Sequence, residues 1–94
     1  MEISQNTWMF NGDYTFAEIP NHINQLNKIV IKQPITLNFS KLQNIDTSLL
    51  SFIFEIKRKA NLSNKSVKLI NIPNNLLNLA SLYEGQNYIQ SPIN

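Results

Sequence analysis

Ile35-Thr36-Leu37-Asn38-Phe39-Ser40, followed shortly by Asn44-Ile45-Asp46-Thr47-Ser48-Leu49-Leu50, is the stretch that decides the fold. Over Ile35–Phe39, apolar and polar residues alternate with the period of a strand. From Leu49 to Ala60 the pattern is helical, so Asp46, Thr47 and Ser48 stand at a helix N-terminus. Backbone N–H groups there lack intrahelical partners, and the helix dipole favours negative charge. A hydroxyl or a phosphate at that point is held by the backbone and displayed. The expectation is a docking or switch surface rather than a catalytic pocket.

The helix expected over Thr47 to Ala60 carries two faces. At roughly 100° per residue, Leu49, Phe52, Ile53, Ile56 and Ala60 fall on one side, enough to cover a sheet. Thr47, Leu50, Ser51, Phe54 and Arg58 fall on the opposite side. That second set joins large apolar groups to hydroxyls and a guanidinium, the mixture of anchor and polar rim found in protein–protein hot spots. Two plainer readings stand beside it. Leu50 and Phe54 could pack under another element of the same domain. Asp46 or Thr47 could serve only as an N-cap, worth about 1 kcal/mol.

Working outward, Thr7-Trp8-Met9-Phe10 is an apolar run that Asn11-Gly12-Asp13 should end as a turn. Thr15-Phe16-Ala17-Glu18 matches a capping box, and Phe16, Ile19, Ile23, Leu26 and Val30 recur at helical spacing. Pro20 is tolerated near the first turn and could shift the helix start towards itself. Lys28-Ile29-Val30-Ile31 is β-branched and could instead be a strand. Val67 to Ile72 reads as a further strand. Pro73 then opens a closing helix with Leu76, Leu79, Ala80 and Tyr83 on one face, ended by Gly85. The tail could add an edge strand around Tyr88-Ile89. Strand and helix thus alternate three times, which implies an α/β sheet with right-handed crossovers, covered by helices.

Composition narrows the function. The 94 residues suit one domain over 1–94, with its core between about residues 7 and 90. A hydrophobic fraction of 43% with 15% charged residues describes an ordered globular chain. Without cysteine there is neither disulfide nor thiolate zinc site, which fits a reducing cytoplasm. The N-terminus lacks the basic head and apolar run of a signal peptide, and no segment reaches the roughly 20 apolar residues of a membrane span. Any work at a membrane is therefore expected to go through a partner. Net charge is +2, and Lys57-Arg58-Lys59 is the sole basic cluster, read as helix-dipole compensation rather than a nucleic-acid footprint. His22, the single histidine, has no carboxylate at ligand spacing and is expected to face solvent. Six scattered acidic residues form no acid/base pair, and two glycines cannot build a phosphate loop. No cofactor, metal or enzymatic activity is expected.

Asp46-Thr47-Ser48-Leu49-Leu50, placed after the strand Ile35–Phe39, resembles the helix-opening segment of STAS domains, the fold of anti-sigma-factor antagonists. Val67-Lys68-Leu69-Ile70-Asn71-Ile72-Pro73 resembles that family's strand and turn, and Leu79-Ala80-Ser81-Leu82-Tyr83 its closing helix. The similarity runs from about Thr7 to Ile89. It implies a small STAS fold, with a mixed, mostly parallel sheet and helices packed on it. Within the family, Asp46-Thr47 together with Leu-Ala-x-Leu-Tyr most resembles the MlaB-like group, small cytoplasmic subunits of a Gram-negative phospholipid-transport ABC complex that maintains outer-membrane lipid asymmetry. That resemblance implies docking on the MlaF-like ATPase subunit, indirect contact with the permease, and a peripheral place on the inner-membrane face. The partner-binding set would be Asp46, Thr47, Ser48, Leu50, Ser51, Phe54 and Arg58. The alternative is an anti-sigma-factor antagonist whose partner is an anti-sigma factor kinase, with Thr47 or Ser48 as phosphoacceptor. In two respects the chain departs from the family. Leu49 stands where glycine is usual, and little room precedes Thr7 for a first strand.

Overall fold

The computed structural model describes residues 1–82. Its elements run β1 (Glu2–Ser4), β2 (Thr7–Tyr14), α1 (Ile19–Asn27), β3 (Ile35–Ile45), α2 (Ser48–Leu62), β4 (Val67–Ile70) and α3 (Asn74–Leu82). The four strands form one sheet in the order β1-β2-β3-β4. β1 pairs antiparallel with β2, and β2–β3 and β3–β4 are parallel. The parallel pairs require crossovers, and α1 and α2 supply them. This is the α/β sheet that the alternation of elements implies, with the mixed, mostly parallel strands that the resemblance implies, and the abbreviated strand before Thr7 is its antiparallel edge.

Register explains the core. Trp8 lies opposite Leu37, and Leu37 opposite Leu69. Alternate side chains of β2 and β3 then point to one face, where Trp8, Phe10, Tyr14, Ile35, Leu37 and Phe39 are buried. The inner stripe of α2 closes over them, with Leu49, Phe52, Ile53, Ile56 and Ala60 fully buried as their spacing predicts. Phe10 is the hub of this layer: its ring centroid lies 4.7 Å from Phe39, 5.0 Å from Tyr14 and 5.9 Å from Phe52. Aromatic pairs at such spacings add to the area they bury.

Several boundaries differ from their expected places. Asn11-Gly12-Asp13 does not end β2. The strand continues to Tyr14, with register shifts between Met9 and Asn11 and between Gly12 and Tyr14. Gly12 takes φ +85° inside this irregularity. The turn-forming residues therefore accommodate bulges, not a reversal. β3 likewise extends to Ile45 rather than Phe39, because Lys41, Leu42 and Ile45 stay paired with the bulged half of β2. β4 stops at Ile70 rather than Ile72, since Asn71 adopts φ +55°.

α1 is shorter than the apolar spacing suggests. Thr15 makes no capping box: its hydroxyl donates to the Glu18 carboxylate at 2.8 Å, and its carbonyl accepts the Glu18 and Ile19 N–H groups. Glu18 is the N-cap, and Pro20 lies in the first turn. Phe16 and Val30 thus fall outside the helix and off its stripe, 80% and 72% exposed. Ile19 and Leu26 are buried, and Lys28–Ile31 forms no strand. In the closing helix Leu76 and Ala80 are buried. Tyr83, Gly85 and the edge strand expected at Tyr88-Ile89 lie outside the described residues.

Candidate docking surface at the head of helix α2

β3 delivers the chain to Asp46, and the helix starts two residues later. Capping falls to Asp46, whose Oδ1 accepts the Ser48 N–H at 2.8 Å. Its Oδ2 accepts the Phe16 N–H at 2.9 Å, thirty residues away in sequence. The Phe16 N–H chiefly, with Ser48 adding to it, holds this carboxyl below the usual carboxylate range. Thr47 occupies the N-cap position, yet its side chain makes no capping bond. Thr47 is exposed and Ser48 half-buried. The pure capping explanation therefore accounts for Asp46 and leaves the Thr47 hydroxyl unexplained.

Down the same side of α2, Leu50 is half-buried against the core, Ser51 is exposed, and Phe54 is 51% exposed. Arg58 is exposed and held by Glu55 at 2.8 Å, an i,i+3 pair on the helix surface. Such exposed pairs are worth little in stability, about 0–1 kcal/mol, but they do set where the guanidinium lies. Leu49 points the other way into the core. Of the seven residues, Asp46 and Thr47 immediately precede α2, and Ser48, Leu50, Ser51, Phe54 and Arg58 lie within it, with apolar area and hydroxyls interspersed.

Two residues near this surface were not legible as such. Phe16 was assigned to the α1 stripe. The signal against that assignment is Pro20, which belongs in a first helical turn and so places the helix start at Ile19, beyond Phe16. Lys57 belongs to the basic cluster whose expected role is helix-dipole compensation, but it is only 2% exposed, and burial pushes its ammonium down to about 8. Lys59 donates to the Leu26 carbonyl at 2.7 Å. The basic triplet is thus split between core, helix junction and ion pair, and offers no continuous cationic stripe. His22 also corrects its expected place. It is half-buried, its ring stacked 3.9 Å from that of Tyr14, with Nε2 3.1 Å from the Asp13 carbonyl oxygen.

A hollow of about 190 Å³ lies between β1 and the α1–β3 connection, lined among others by Ile3, Trp8, Val30 and Ile35. It falls below the several hundred Å³ usual for a small-molecule pocket. Among the described residues, no group of three or more His, Asp or Glu could hold a metal, and no helix is long and apolar enough to cross a membrane.

The family model for the STAS domain matches residues 4–93. No curated protein and no solved structure matches the chain. STAS domains are generally non-catalytic. With a match over nearly the whole sequence, and a four-stranded mixed sheet carrying three helices among the described residues, the chain belongs to the STAS domain family.

Proposed function

We propose that this chain is a non-catalytic STAS subunit that docks through the outward side of α2 on the ATPase of a phospholipid-transport ABC complex, which maintains outer-membrane lipid asymmetry. The observation that carries the reading is Phe54. A helix already burying a full apolar stripe keeps half of a phenyl ring in solvent, on the same side as Thr47 and Ser51. Completing the burial of a large apolar side chain contributes on the order of 1 kcal/mol or more to association. The likeness of Leu79-Ala80-Ser81-Leu82-Tyr83 to the closing helix of the MlaB-like group supports the transporter assignment. On this reading the protein is cytoplasmic and peripheral, reaches the membrane and permease only through the ATPase, and binds no nucleic acid. Nucleotide chemistry stays with the partner.

Thr47→Arg and Phe54→Asp should each abolish co-purification with the MlaF-like ATPase while circular dichroism and Tm stay near wild type, because both positions are exposed. Retention of the ATPase by both variants would overturn the reading.

One observation favours a second reading, an anti-sigma-factor antagonist acting with a kinase. The Thr47 hydroxyl makes no capping bond, so it is accessible to phosphorylation at a helix N-terminus that tolerates the added charge of about −1.5 to −2. Ser48, half-buried, is the poorer acceptor. Incubation with the cognate kinase followed by intact-mass measurement decides it: an unmodified mass removes this reading.

A further inference from the structure

The parallel strands β2, β3 and β4 begin at one end of the domain, where α1 and α2 finish. The β1–β2 turn and the α1–β3 and α2–β4 connections meet there. Asn6 donates to the Gln33 side chain at 2.7 Å, Pro34 borders one hollow with Asn61, Asn64 and Lys65, and Lys59 reaches the Leu26 carbonyl. Residues 5–6, 28–34 and 63–66 carry Lys28, Lys32 and Lys65 and no carboxylate. At the opposite end, residues 15–18 and 46–47 carry Glu18 and Asp46 and no base. The domain is therefore polarised along its helices. Dipole compensation accounts for Lys28, the cap of α1, and for Lys59 in the last turn of α2. It accounts neither for Lys32, exposed beyond the end of α1, nor for Val30 and Leu62, 72% and 74% exposed. One exposed aliphatic side chain is ordinary. Here each of two stands between lysines in the chain, at the same end of the fold.

We infer that this end of the domain rests on an anionic lipid surface, with its lysines among the headgroups and Val30 and Leu62 at their apolar boundary. The residue types choose lipid over protein. Protein interfaces favour aromatic residues and arginine and disfavour lysine. A surface of diffuse negative charge needs only mobile ammoniums with aliphatic groups between them. Residues 5–6, 28–34 and 62–66 hold no aromatic residue and no arginine. Each lysine near such a surface raises partitioning about fivefold, so Lys28, Lys32 and Lys65 together give about 10²-fold at low salt. Screening makes that too little to hold a free domain on a bilayer at physiological ionic strength. The docking reading above supplies the missing hold: the ATPase delivers the domain, and this end then meets lipid at high effective concentration. The inference goes beyond that reading, because it concerns the end of α2 remote from Thr47.

The test is co-sedimentation of the full chain with phosphatidylglycerol and with phosphatidylcholine vesicles at about 10 mM salt, where charges act over roughly 30 Å. Wild type should prefer the anionic vesicles about 10²-fold, and physiological salt should release it. Lys32→Gln should lower anionic binding about fivefold, and Lys28→Gln with Lys32→Gln about 25-fold. Val30→Asp should weaken it as well. Lys41→Gln makes the same change of charge on an exposed residue of β3 paired opposite Asn11, towards the other end, and should leave binding unchanged. All four positions are exposed, so circular dichroism should match wild type. No preference for anionic vesicles, or an equal loss in Lys41→Gln and Lys32→Gln, overturns the inference. So does a loss of ATPase binding in Lys28→Gln/Lys32→Gln without vesicle binding by wild type, which would make this end a protein contact. Vesicle binding is read without the ATPase, so its failure leaves the docking reading standing, and retention of the ATPase by Thr47→Arg and Phe54→Asp strikes that reading alone.

Discussion

The rings of Tyr14 and His22 stack 3.9 Å apart and within 10° of parallel, joining the end of β2 to the middle of α1. Phe52 of α2 flanks both, at 6.2 Å from Tyr14 and 5.8 Å from His22.

Burial holds His22 below the ordinary histidine range, although the Asp13 carbonyl works in the opposite direction. Its neutral form is thus favoured in the folded state. As pH falls below about 6.5, the unfolded chain takes up a proton that the folded chain resists, and stability declines. Tm should drop between pH 7 and pH 5, above the range where the carboxylates titrate. In His22→Phe, which keeps a ring in the stack, that drop should shrink. An unchanged pH profile would contradict this assignment.

The Tyr14 hydroxyl is buried and forms no hydrogen bond of good geometry among the described residues. Burial pushes its phenol well above the usual tyrosine range, against an opposing influence from the Asn11 backbone. Removing an unsatisfied buried hydroxyl relieves its desolvation cost. Tyr14→Phe should therefore be neutral or raise stability by about 1 kcal/mol, measured by urea unfolding.

Lys57 has its folded-state ionisation lowered to about 8 by burial. Between that value and the unfolded value near 10.5, the unfolded state binds more protons, so stability rises with pH. Tyr14 opposes this above pH 10, where the unfolded tyrosine begins to ionise and the buried one does not. Thermal unfolding from pH 7 to pH 9.5 should show a rising Tm in the wild type. The rise should be absent in Lys57→Met.

Leu49, in the first turn of α2, is wholly buried in the core. Leu49→Ala should cost about 2–5 kcal/mol, the range for a truncated core leucine, without a change in the exposed face of α2. A loss below 1 kcal/mol in chemical denaturation would show that the site collapses around the smaller residue.

Gly12 takes φ +85°, and a Cβ there would meet no atom within 4 Å. The cost of Gly12→Ala is therefore conformational, about 1 kcal/mol, rather than steric. Gly12→Asn should cost less, because asparagine tolerates positive φ. Tm of the two variants separates these effects.

Periodicity alone determined the two sides of α2, because residues of one helix turn together and a buried stripe leaves its opposite face exposed. Leu49, Phe52, Ile53, Ile56 and Ala60 are buried and Phe54 is half in solvent, as their spacing predicts. The β3–α2 passage through Asp46 was legible for the same reason, since a change of period from two to 3.6 marks the boundary. Only the tertiary structure decided where Phe16, Val30, Lys57 and His22 lie. Spacing says which residues share a side, but not where a helix begins, so Phe16 and Val30 were drawn into a stripe they do not join. Nor does it say which polar group a neighbouring element will cover, so Lys57 is buried and His22 half-buried through packing from elsewhere in the chain. The reach of Asp46 across thirty residues to Phe16 belongs to the same class. It is a contact between loops that meet only because β2 and β3 are adjacent in the sheet.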